Sequence, residues 1–174
     1  MEPKYYRSWH LAKNSIEYKV TEFEWSIIRF HEAFARWVAA ASAVVIEGDI
    51  KFAEYVIIQV IRMQDRPKNS ATIARMINRD DLANVQYSLR KLESVGLIQK
   101  TRERGRKTYA YAVTLLGQKV TDDYATLRSE LLIENLKAIA DLDDRITKTT
   151  QFMSVLTGIY EEMSRSSATF THTR

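Results

Sequence analysis

The chain has 174 residues, enough for one domain with a real core or two small ones sharing helices. It is 45% hydrophobic and 28% charged, with a net charge of +4, an ordinary balance for a globular chain. No run reaches the roughly 18 apolar residues of a membrane span, Met1 to Tyr5 lacks the apolar core of a secretory signal, and the lack of cysteine excludes disulfides and thiolate metal sites, so a cytoplasmic protein with no membrane partner is expected.

Five glycines and two prolines leave few breakpoints, which predicts a mostly helical chain. Residues 1–18 are polar with scattered aromatics (Tyr5, Tyr6, Trp9) and read as an irregular arm. The first strong helix is expected from Thr21, because Thr21 and Glu24 have the spacing of a capping box. Val20, Phe23, Ile27, Phe30, Phe34, Val38, Ala41 and Val45 then recur in steps of three and four. Trp25, Ile28 and Trp37 fall off that stripe, so more than one face needs cover. Gly48 and Asp49 end this helix. A second helix over 50–63 is apolar nearly all round and should be central, with Gln59 as the polar residue inside the run. Pro67 makes 66–69 a loop. A short helix over 70–77 has Asn69 or Ser70 as cap. After a turn at 78–80, another helix runs from about Asp81 to before Gly96, with Leu82, Val85, Leu89 and Leu92 as its apolar stripe and Gly96 as its C-cap.

Two extended runs follow, 97–100 and 108–113, the second alternating Tyr109, Tyr111 and Val113 with small residues. Gly105 lies at the tip between them. Lys100, Arg102, Arg104, Arg106 and Lys107 face a single acid, Glu103, across this loop, and five minus one equals the excess of the whole chain. Such a concentrated cationic patch suits a polyanion partner. Thr114 can cap a further helix bearing Leu116, Val120, Tyr124, Leu127 and Leu131. A last helix opens with acids at 141–144, as the helix dipole favours. Its Leu142, Ile146, Thr149, Met153, Leu156, Tyr160 and Met163 step by four and three in turn, a seam for a partner helix. Residues 165–174 are Ser/Thr-rich and are expected to be disordered.

Helix, short helix, turn, helix, strand, basic loop, strand is the order of a winged helix-turn-helix. The expected fold is therefore mostly α with a small β-hairpin wing over 49–114, flanked by long N- and C-terminal dimerisation helices at 19–48 and 115–164. Asn69, Ser70 and Thr72 start the helix-turn-helix. The recognition helix buries its leucines and turns Ala83, Asn84, Gln86, Tyr87, Arg90 and Lys91 outward. Asn and Gln pair with adenine edges, Arg with guanine or phosphate, and a small residue permits close approach. The wing cations would lie beside that helix, against phosphates or a minor groove.

The stretch DLANVQYSLRKLESVGLI at 81–98 resembles the recognition helix and exit of the MarR family of transcription regulators. YAVTLLG at 111–117 resembles that family's second wing strand running into the next helix. The resemblance spans about residues 20–164. It implies a homodimer on pseudo-palindromic double-stranded DNA, a repressor, and release by a small aromatic or carboxylate effector. Two positions depart from the family pattern. Gly105-Arg106-Lys107 stands where the wing has Asp-x-Arg, so the buttressing acid is missing, and Tyr87 stands where an Arg is common.

Many winged helices bind protein instead of DNA, and a protein-interaction module is the main alternative. No phosphate loop, metal-ligand spacing or nucleophile motif points to an enzyme, and no cofactor is expected. Trp25, Phe30, His31, Phe34 and Trp37 could line an effector pocket, although aromatics at helical spacing are more often core. His31 reads as a helix-face histidine, and His10 and His172 in the tails make no metal set. Glu22/Glu24 and Asp143/Asp144 sit in expected first turns, where capping accounts for them.

Overall fold

The computed structural model describes residues 9–102, 109–167 and 169–170. The arginines and lysine expected at the tip of the wing (Arg104, Arg106, Lys107) lie outside the described residues. The chain divides into two compact units, Met1–Leu127 and Arg128–Arg174.

The first unit opens with α1, Ser15–Val45, which starts a turn and a half before the expected Thr21. Its cap is Asn14, whose Oδ1 accepts from Ile16 N and Glu17 N, both at 3.0 Å, while Glu17 accepts from Lys13 N. Thr21 is instead a helix-interior residue whose hydroxyl donates back to the Glu17 carbonyl at 2.8 Å. Residues 15–18 thus belong to the helix and not to the arm. Only Thr21, Val38, Ala41 and Ser42 of α1 are buried, so its C-terminal third joins the core while Ile16, Val20, Ile28 and Phe30 stay exposed.

Helix α2, Phe52–Arg62, is central as expected: Tyr55, Ile57, Ile58, Val60 and Ile61 are all buried. Helix α3, Ser70–Met76, and α4, Leu82–Ser94, pack on it through Ile73, Val85, Leu89 and Leu92, each nearly inaccessible. The buried face of α4 differs from the expected leucine stripe. Leu82, in the first turn, is 38% exposed, and Ser88 takes a buried place. The wing strands β1, Ile98–Thr101, and β2, Ala110–Val113, pair antiparallel with Ile98 opposite Val113 and Thr101 opposite Ala110. Lys68 adds a rung to the outer side of β2, exchanging both backbone bonds with Tyr111 at 3.0 and 2.8 Å.

Helix α5, Leu115–Arg128, is set against the hairpin by Thr114. Its hydroxyl accepts from Gly117 N at 3.0 Å and donates to the Gly96 carbonyl at 2.6 Å. Gly117 is required here, because a Cβ would overlap the Leu97 carbonyl. Val120 and Tyr124 are buried, but Leu116 is half exposed.

The second unit holds a π-helical turn at Ser129–Ile133, the short α6, Glu134–Leu136, and α7, Leu142–Ser167. Helix α7 continues past 165, where a disordered tail was expected, and none of its residues is buried. No helix among the described residues is long and apolar enough to cross a membrane.

Candidate nucleic-acid interface

Short polar caps place the reading helices. Asn69 Oδ1 accepts from Thr72 N at 2.8 Å and starts α3, with Ser70 and Thr72 half-buried beside it. The turn between α3 and α4 contains Asn78 at φ 53, a left-handed position that asparagine tolerates better than most residues. Asp81 then caps α4, its Oδ1 accepting from Asn84 N at 3.1 Å.

Of the six residues expected on the outer face of α4, five are exposed: Ala83, Asn84, Gln86, Tyr87 and Arg90. Tyr87 stands 61% exposed. The Asn84 carboxamide also donates to the Asp81 carboxylate, which fixes its orientation across the first turn. Arg90 makes no ion pair among the described residues. Lys91 differs from the expectation. It is half-buried, and its Nζ lies 3.4 Å from Glu54 Oε2 and 3.7 Å from Asp49 Oδ2.

Two described wing cations are tied to neighbours on the hairpin side. Lys100 Nζ donates to Glu93 Oε2 at 2.7 Å, and that bond holds its ammonium above the usual lysine range. The Arg102 guanidinium lies 5.0 Å from the centre of the Tyr109 ring, which orients it along the hairpin. Arg75 and Arg79 are further exposed cations, at the end of α3 and in the turn before α4. Sequence reasoning passed over them because they interrupt no pattern. Their closeness to the cap of α4 was the available signal.

The five residues expected to line an effector pocket are not brought to one cavity. Trp25 and Trp37 are twelve positions apart on one helix, about 18 Å along its axis. Trp25 borders a small cleft of about 180 Å³ with Trp9, His10, Leu11 and Thr21. Trp37 packs against the core. His31 and Phe34 meet the Phe52 ring edge-on at 5.5 and 5.6 Å, and Phe30 stacks on Phe34. A larger cleft of about 420 Å³ lies elsewhere, between the end of α1 (Val45, Ile46, Glu47), Val95, Leu97 and the start of α5. Among the described residues no group of three His, Asp or Glu side chains could hold a metal ion.

Residues 51–117 match the winged helix DNA-binding domain family. This span runs from the cap of α2 through the hairpin to Gly117. The chain has a fold similar to that of MarR family transcription regulators over most of its length. A MarR family regulator from Rhodococcus sp. RHA1 superposes with a TM-score of 0.61 at 18% identity, covering 80% of this chain and 93% of that one. AbfR of Staphylococcus epidermidis gives 0.67 at 15% identity over 82% and 93% of the two chains. The transcriptional repressor CouR, in a structure bound to a 23-mer DNA duplex, gives 0.65 at 15% identity over 83% and 99%. No curated protein matches the chain.

Proposed function

We propose that the protein is a sequence-specific regulator of transcription, a cytoplasmic repressor that binds pseudo-palindromic double-stranded DNA as a homodimer. The observation that carries this reading is the exposed polar face of α4. Gln86, Tyr87 and Arg90 stand free of the core beside a hairpin bearing Lys100 and Arg102. A helix of this kind fits the major groove, and the flanking cations meet phosphates. The repressor CouR supports it as a similar fold held on a DNA duplex.

Dimerisation is supported by the apolar surface left uncovered on α1 and α7. Ile28, Phe30, Val155, Ile159 and Met163 are each about half exposed or more. A second copy covering the regions 19–48 and 115–164 would remove them from water. Two recognition helices would then enter successive major grooves, about 34 Å apart. The exposed rings of Phe30, His31 and Phe34 around Phe52 support a small aromatic or carboxylate effector as the releasing signal.

Selection of binding sites from random duplex DNA tests the reading, with an enriched inverted repeat as the expected result. No enrichment would leave the protein-interaction module as the better account. On the selected site, log affinity should fall against log salt with a slope of about −0.9 per phosphate neutralised. Replacing Arg104, Arg106 and Lys107 with Ala should flatten it, and an unchanged slope would remove the wing from the interface.

A further inference from the structure

The Glu54 carboxyl group lies where a polar group is costly unless it is partnered. Its side chain is 4% exposed, in the first turn of α2. All its polar contacts point to two places. Oε2 accepts from Lys51 N at 3.0 Å, closing the cap of α2, and lies 3.4 Å from Lys91 Nζ. Oε1 accepts from the buried Ser88 hydroxyl at 2.8 Å. Asp49, just before α2, adds a second carboxylate 3.7 Å from the same ammonium. One buried carboxylate thus grips α4 at two points, Ser88 and Lys91, one turn apart.

We infer that Glu54 is a positioning residue that sets the rotational register of the recognition helix, with Ser88 and Lys91 as its grips. This deepens the proposed DNA-reading function and rests on it. Apolar packing through Val85, Leu89 and Leu92 holds α4 against α2, but burial is non-directional and tolerates a small roll. Hydrogen bonds and a buried ion pair have fixed directions, and removing one partner strands the other. Gln86 and Arg90 are each two residues from Ser88, about 160° around the helix. They therefore sit on the far side of the axis from Ser88. At a side-chain radius of roughly 5–6 Å, a roll of about 10° moves their ends by about 1 Å, enough to spoil a bidentate base contact. Lys91 is accordingly assigned to the grip and not to phosphate.

The test compares Glu54→Gln, Ser88→Ala, Lys91→Met and Lys91→Arg in the full chain, on the selected duplex and on random duplex, at several salt concentrations. The ratio of the two affinities should fall about tenfold in the first three, the scale of one lost base contact. The salt slope should stay unchanged, and Lys91→Arg should restore most of the ratio. Melting is followed in parallel, because a purely structural role lowers the melting temperature and leaves the ratio unmoved. That result overturns the inference. So does a slope reduced by about 0.9 in Lys91→Met, which would make Lys91 a phosphate contact. Should Glu54→Gln fail to fold, the Ser88 and Lys91 variants carry the same comparison. If the wild-type chain enriches no site, it is the DNA reading that fails. The register is then read in the free protein from residual dipolar couplings of α4 amides relative to α2, and couplings identical in wild type and Glu54→Gln overturn the inference.

Discussion

Lys68 is 4% exposed, and its ammonium is turned inward to the chain's own carbonyls. It donates to Ile61 O and Arg66 O, both at 3.2 Å, and to Met63 O. These groups cluster at the end of α2, where helical carbonyls lack partners and the dipole favours a cation. The same turn carries Gln64 and Asp65 at φ 63 and 47, strained positions for non-glycine residues that persist when their surroundings hold them. Lys68→Met should therefore lower unfolding stability by about 2–3 kcal/mol, measured by chemical denaturation. Burial, then the nearby Arg66 charge, pushes the Lys68 pKa down. The unfolded chain binds that proton more tightly, so stability should rise with pH through the alkaline window between the two pKa values. In Lys68→Met the rise should be absent; its persistence would assign it to another group. Gly117 is a second single-residue control. Adding one methyl there drives Cβ into the Leu97 carbonyl, and Gly117→Ala should cost about 1–3 kcal/mol, as overpacking does. A neutral melting temperature would show that α5 can withdraw from the hairpin freely.

At the scale of elements, what the sequence discloses and what it hides have different physical origins. Helices α2, α3 and α4 were readable to within about two residues because proline, asparagine, aspartate and glycine mark their ends and apolar residues mark their faces. The start of α1 was hidden. Thr21 and Glu24 mimic a capping box, while the real cap at Asn14 precedes a first turn with no apolar stripe. Ser88 and Glu54 were hidden for a different reason. Each is polar, so a hydropathy pattern sends it outward, and the partner that justifies burial lies 34 positions away. The partial burial of Lys91 was hidden by the same logic, since nothing local distinguishes a cation reaching for a buried carboxylate from one facing solvent. The outer face of α4 was legible because it needs no partner within the chain. The expected effector residues are spread along one helix, with Trp25 and Trp37 about 18 Å apart, while Phe30, His31 and Phe34 gather near Phe52.

Considered as a whole molecule, the chain leaves α7 with no buried residue over 26 positions. Helices within proteins owe most of their stability to packing and little to propensity, so α7 calls for a covering surface. On the proposed homodimer, light scattering should give twice the chain mass of 20.2 kDa at micromolar concentration. Val155→Glu with Ile159→Glu should shift the population toward single chains and weaken operator binding with it. A double variant that stays dimeric would place the contact elsewhere. The rung between Lys68 and Tyr111 has one last mechanical consequence. It laces the stretch entering the helix-turn-helix to the base of the hairpin, so the two are tied together there. On the proposed DNA reading, a groove that is too wide or too narrow would then be met by tilting the joined pieces as a single lever, and misfit at one base step would be felt along the footprint.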